Sequence, residues 1–130
     1  MTPGNLHRMP FSVLALRGAT TLDTDDRDHL LGRVRALLEK MLDRNGVGHD
    51  DLISIIFTAT PDVHSCFPAL AARQMGLGDV PLLCAQELDI EGAMPLCIRV
   101  LMHLNSDRDR SDLHHVYLES ARSLRDDLPQ

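Results

Sequence analysis

Apolar residues recur at intervals of three and four between Leu30 and Leu42, through Val34, Leu37, Leu38 and Met41. That period predicts one long amphipathic helix over residues 24–45. Asp25, Asp26 and Asp28 come early and Arg44 late, an order that complements the helix dipole, and Asn45-Gly46 supplies a stop. Elsewhere the period shortens. SVLALR at 12–17, ended by Gly18, reads as a first strand whose alternation puts Val13, Ala15 and Arg17 on one face, so that an arginine shares a face with core residues. LISIIFTAT at 52–60 is β-branched and apolar nearly throughout, the pattern of a strand buried on both faces, and Thr60-Pro61-Asp62 closes it. Phe67-Pro68 opens a short helix that stops at Gly76. VPLLC at 80–84 reads as a third strand and LCIRVLMHL at 96–104 as a fourth. On the fourth, alternation sends Leu96, Ile98, Val100, Met102 and Leu104 to one face and Cys97, Arg99, Leu101 and His103 to the other. The segment SDLHHVYLESARSL fits a helical stripe as well as a strand, and the reading taken is a strand at 114–118 followed by a helical turn. The sum is an α+β fold, a mixed β-sheet packed by one long helix and a short helix.

Composition narrows the partners. A chain of 130 residues forms one domain, read here as 12–128, with 1–11 as a loose extension. Three phenylalanines, one tyrosine and no tryptophan leave little to stack on nucleic-acid bases, and a net charge of −6 argues against a nucleic-acid or anionic-membrane partner. Lys40 is the one lysine among 13 basic residues; arginine's planar fork suits carboxylates, although an arginine-rich genome gives the same bias. The three cysteines, Cys66, Cys84 and Cys97, lack any C-x-x-C pairing, which fits a reducing compartment and no structural zinc. MTPGNLHRMP has no basic and then apolar signal pattern, and no apolar run approaches membrane-spanning length, so the expected location is cytoplasmic.

Candidate chemistry concentrates in CAQELDIEGAMPLCIRV, Cys84 to Val100. Arg99 stands mid-strand between apolar neighbours, and a guanidinium buried there needs an anion, either a protein carboxylate or a ligand. Cys84 and Glu87 lie three apart, so both reach one site only if the chain bends between them; singly, Cys84 also fits a small core residue and Glu87 a solvated loop. His64, His103, His114 and His115 give a thiolate base only through unspecified folding. The adjacent His114-His115 pair diverges on a strand and forms no metal motif, and no glycine-rich phosphate loop precedes a helix. What remains is an arginine-lined site for a small carboxylate, carrying one carboxylate of its own.

Five blocks in order then carry a resemblance: RGATT at 17–21, TATPDVHSCFPA at 58–69, VPLLCAQELD at 80–89, CIRVLMHL at 97–104 and HVYLESARSLRDDL at 115–128. From residue 13 to residue 128 the chain resembles the monofunctional chorismate mutases of the trimeric pseudo-α/β-barrel class. The resemblance implies an isomerase that converts chorismate to prephenate by a [3,3] sigmatropic rearrangement for aromatic amino-acid synthesis, with no cofactor and no metal, in a site between subunits of a homotrimer. It implies that Arg99 sits beside the ether oxygen, and that Glu87 and Cys84 hydrogen-bond the ring hydroxyl. Arg17 and Tyr117 would hold a carboxylate, Phe67, Ala69, Leu82, Leu83 and Leu124 would shape the wall, and Arg73 and Arg125 would supply outer positive potential. Two positions depart from the family's usual pattern. Leu70 replaces a frequent lysine, which is expected to weaken substrate capture, and Leu83 replaces a frequent threonine. The alternative reading is a non-catalytic trimeric module of the same architecture that binds small carboxylates.

Overall fold

The computed structural model describes residues 12–125, apart from the side chain of Arg125. The expected loose segment 1–11 and the domain end at 126–128 lie outside the described residues. The fold is a five-stranded mixed sheet in the order β3-β2-β4-β1-β5. Strands β1 (Ser12–Thr21), β2 (Leu52–Ala59) and β4 (Cys97–Ser106) form its centre, with β4 antiparallel to both neighbours. At the edges, β3 (Leu82–Gln86) runs parallel to β2, and the two-residue β5 (Val116–Tyr117) runs parallel to β1.

One long helix, α1 (Arg27–Asn45), covers one sheet face with a stripe of Leu30, Val34, Leu37, Leu38 and Met41. Burying each such side chain contributes about 1.5–3 kcal/mol, and the facing positions Leu16, Ile55, Phe57, Ile98 and Met102 are fully buried in return. The helix starts three residues later than its pattern suggests because the Asp26 carboxylate caps it, accepting from the His29 N–H at 3.0 Å. Gly46 ends it in the left-handed region at φ 59°, where glycine carries no Cβ penalty. The short helix α2 (Ala69–Gln74) follows Pro68 as expected.

Several expectations are corrected. Gly18 does not end β1: the strand continues to Thr21, and a Cβ at Gly18 would meet Met41 Sδ at 2.5 Å, so this glycine lets α1 lie close on the sheet. Arg17 shares no face with the core. Leu16, Gly18 and Thr20 turn towards α1, whereas Val13, Ala15 and Arg17 are exposed on the opposite face. Nor is β2 buried on both sides, since Ile55 and Phe57 are buried while Ser54, Ile56 and Thr58 are only half-buried. Strand β3 begins at Leu82, two residues late, because Pro81 has no N–H to donate and Val80 is held in a turn by Leu77 O at 3.0 Å. Strand β5 is shorter than 114–118 because the buried Asn45 captures His114, donating to its carbonyl at 2.9 Å and accepting its N–H at 2.7 Å. The expected helical turn follows as a 3₁₀ helix at Glu119–Arg125.

Candidate active site

Among the described residues the sheet face turned away from α1 is largely open, covered only towards β5, where Ala121 of the 3₁₀ helix packs on Ala19 and Tyr117. Cross-strand register aligns Ala85, Thr58, Arg99, Ala19 and Tyr117 in one row, with Leu83, Ile56, Leu101 and Arg17 in the next. Ala19 ends at its methyl group, and a pocket of about 270 Å³ opens there, lined by Arg17, Thr58, Glu87, Arg99 and Tyr117 together with Ile56 and Leu101. Its volume falls just under the roughly 300–1,000 Å³ of complete small-molecule sites.

Arg99 is therefore not a buried guanidinium. Its side chain is 44% exposed, and its Nε lies 3.5 Å from Glu87 Oε2. Glu87 is held from two directions. Its N–H donates to Ala59 O at 2.9 Å, which extends the β2–β3 pairing one residue past the strand, and the Thr58 hydroxyl donates to its Oε2. Tyr117 is packed by Ala19 and Ala121, with Met94 and Leu124 alongside. Arg17 is fixed at its backbone, where its N–H donates to His115 Nδ1 at 2.9 Å.

Cys84 does not join this group within one chain. The expected bend after Cys84 is absent: β3 continues to Gln86, so Cys84, paired with the fully buried Phe57, and Glu87 point off opposite faces. Cys84 instead lines a second pocket of about 590 Å³, shared with Phe67, Leu70, Arg73, Arg27 and His64. Phe67 is 72% exposed there. The remaining wall residues scatter. Ala69 is buried in the core, Leu82 packs half-buried against it, Leu83 is exposed on the open face, and Leu124 lies beside Tyr117. The side chain of Arg125 lies outside the described residues.

Two polar clamps shape these pockets. Asp25, just ahead of α1, accepts the backbone N–H groups of His64 at 2.8 Å and Ser65 at 3.1 Å, tying down the segment that presents Phe67. The Ser65 hydroxyl, although it misses full hydrogen-bond geometry, contributes most to holding the Asp25 carboxyl below its ordinary value, ahead of the two backbone donors and against an opposing desolvation. Asp62 accepts the N–H of Leu96 at 2.9 Å and takes the Thr60 hydroxyl at 2.5 Å, while Thr60 accepts the Cys97 N–H at 3.0 Å. Leu96 sits at φ 48°, a conformation costing about 1–3 kcal/mol in a non-glycine residue, and this clamp holds it at the entrance to β4. Burial pushes the Cys97 thiol up despite the nearby Arg99 charge, so Cys97 stays a thiol and a poor nucleophile.

Thr58 and Arg27 carry no role in the sequence reading. The signal for Thr58 is a hydroxyl that shares a strand face with Ser54 and Ile56 in a largely apolar run; for Arg27 it is a cation set in the acidic DTDDRD start of a helix, against the dipole. Among the described residues no cluster of three His, Cys, Asp or Glu side chains has the arrangement of a metal site. The surfaces available are thus an arginine–carboxylate pocket and a larger, partly cationic one, suited to binding and polarising an anion.

The family model described as chorismate mutase type I matches residues 13–128. Chorismate mutase AroH of Bacillus subtilis (strain 168) is 39% identical over 117 residues, covering 89% of this chain and 92% of that protein. Chorismate mutase AroH of Thermus thermophilus is 44% identical over 117 residues, covering 89% and 96% respectively. Among solved structures, a chorismate mutase from Clostridium thermocellum, Cth-682, superposes with a TM-score of 0.83 at 46% identity, covering 84% of this chain and 97% of the other.

Proposed function

This chain belongs to the type I chorismate mutase family and is a chorismate mutase, an isomerase; we propose that it rearranges chorismate to prephenate in a site completed between adjacent subunits of a homotrimer. The observation that carries the reading is the convergence of Arg17, Glu87 and Arg99 on one pocket of the open sheet face.

The reaction breaks a C–O bond as a C–C bond forms, so no proton need move and no covalent intermediate is required. Rate comes from holding the enolpyruvyl arm over the ring and from stabilising charge that separates in the transition state. Arg99 is assigned to the ether oxygen, where negative charge grows. A preorganised donor at such a point is worth about 3–4 kcal/mol, and a permanent cation more. Glu87 accepts from the ring hydroxyl and faces the positive charge developing on the ring. Arg17 and Tyr117 hold a carboxylate, and Leu124 closes the wall beside Tyr117.

The trimer joins what one chain separates. Phe67, Arg73, Cys84 and the neighbouring Leu82 and Leu83 of one subunit are proposed to meet the Arg99 pocket of the next, with Cys84 acting as a hydrogen-bonding group and Ala69 backing the wall from within the core. Arg73 and Arg125 draw the dianionic substrate into an acidic protein. Two exposed apolar residues on the open face, Val13 at 63% and Leu83 at 61%, fit a surface covered by another subunit. The reading includes a cytoplasmic setting, in which Cys66, Cys84 and Cys97 remain free thiols. A non-catalytic carboxylate-binding module is not favoured, because the arginine and carboxylate positions of the site are intact. The test is direct: purified protein should speed the loss of chorismate's ultraviolet absorbance with no cofactor added, and an inert protein would overturn the reading.

A further inference from the structure

We propose that Thr58 is a positioning residue that keeps Glu87 from closing onto Arg99, so that the guanidinium's terminal nitrogens and one carboxylate oxygen stay available to substrate. The inference rests on the reading of the Arg99 pocket as the catalytic site. Arginine and glutamate side chains in a shared pocket tend to form a bidentate fork, two parallel N–H···O bonds that consume both carboxylate oxygens. That fork is not formed here. Arg99 Nε lies 3.5 Å from Glu87 Oε2, beyond the usual range for a charge-assisted hydrogen bond, and no hydrogen bond joins the two side chains among the described residues.

The geometry accounts for this. Thr58 lies directly opposite Arg99 in the β2–β4 register and between it and the β3 edge, since it also pairs with Ala85. Its hydroxyl donates to Glu87 Oε2, the same oxygen that faces Arg99 Nε. Both contacts therefore fall on Oε2, and Oε1 takes no hydrogen bond among the described residues. The backbone end of Glu87 is pinned as well, through its N–H to Ala59 O at 2.9 Å. With both ends held, the carboxylate cannot swing along the strand to meet Nη1 and Nη2. A threonine suits the task because χ1 is restricted by its β-branch, so the hydroxyl direction is set by the strand.

The separation has a chemical purpose. A guanidinium locked in a fork with its own carboxylate has its donors satisfied in the ground state, and stabilising a developing oxyanion would require breaking that fork. An arginine held at the edge of a carboxylate keeps the charge and leaves donors free.

Thr58→Val preserves shape and removes the hydroxyl. The expected result is a fall in kcat of about tenfold or more with KM changed less than about twofold, because the interaction is realised in the transition state. Thr58→Ser should restore most of kcat. In a Glu87→Gln background, Thr58→Val should cost less than about twofold further, since Thr58 acts through that carboxylate. Thermal unfolding of each variant separates this from simple misfolding, which would lower Tm and active fraction whatever stands at position 87. Thr58→Val with wild-type kcat, an equal loss in the Glu87→Gln background, or a serine variant as slow as the valine one would each overturn the proposal. Failure of the underlying reading is distinguishable: an inert wild type takes both down, whereas an active wild type, an inactive Arg99→Ala and an unaffected Thr58→Val remove Thr58 alone.

Discussion

Cys84 and Glu87, three residues apart in sequence, point off opposite faces of the sheet edge, one into the cavity beside Phe67 and Arg73 and the other towards Arg99. A single chain cannot bring both to one small substrate. If the halves meet between subunits, Arg73→Glu, which turns the attracting charge at the pocket mouth into a repelling one, and Arg99→Ala, each strongly impaired alone at low substrate concentration, should regain activity when unfolded together and refolded. Random assembly pairs an intact Arg99 half with an intact Arg73 half at about a quarter of interfaces, so about a quarter of wild-type activity is expected. A site contained in one chain gives no recovery. The same mixture should run near three times 14.5 kDa.

Leu70 lines the larger pocket together with Arg27 and Arg73. Leu70→Lys adds a cation there and should lower KM for the dianionic substrate roughly threefold, while Arg27→Ala should raise it by a similar factor, with kcat little changed in either. Both effects should shrink as ionic strength rises. Steady-state kinetics at two salt concentrations checks this, and unchanged KM values count against a capture role for the pocket.

Gly18 admits α1 to the sheet. Gly18→Ala places a methyl group 2.5 Å from Met41 Sδ and 3.1 Å from Leu37 Cδ1, and overpacking of this kind costs about 1–3 kcal/mol. Urea unfolding should show a lower midpoint at unchanged slope, and a smaller side chain at position 41 should recover part of the loss.

Much of this architecture is legible in the sequence. The stripe from Leu30 to Met41 gives α1, and the alternation of Ile98, Val100, Met102 and Leu104 assigns the core face of β4 correctly, because one side of each element is buried in the chain's own interior. The readings fail where a second demand acts. Gly18 looks like a strand stop but is a packing gap, information that resides in Met41. Val13, Arg17 and Ile56 look like core yet lie on the face turned away from α1, since an open sheet face with apolar positions has the same alternation as an interior. The candidate residues stand out as residue types in ordered motifs, and the spacing of Cys84 and Glu87 requires a bend for them to share a site; β3 runs straight on to Gln86 instead, because its pairing with β2 continues to Ala59, and the two side chains fall in separate pockets.

The Asp25 clamp gives a pH dependence with a definite sign. The folded carboxyl titrates below its ordinary value of 3.8, so its contribution to stability is fully present above that unfolded value and is lost as pH falls through the folded one. Wild type and Asp25→Asn should therefore differ most in urea midpoint near pH 6 and converge as the solution is acidified towards pH 3. A gap that widens on acidification contradicts the assignment.

The proposed mechanism stabilises the transition state with a fixed positive charge at position 99. The most direct measurement is kcat for chorismate loss by Arg99→Ala beside wild type, with Arg99→Lys as the charge-conserving control. A fall of at least about 10³-fold is expected for alanine, with lysine losing the fork but recovering part of the rate. An alanine variant within tenfold of wild-type kcat, folded and of unchanged mass, would contradict it.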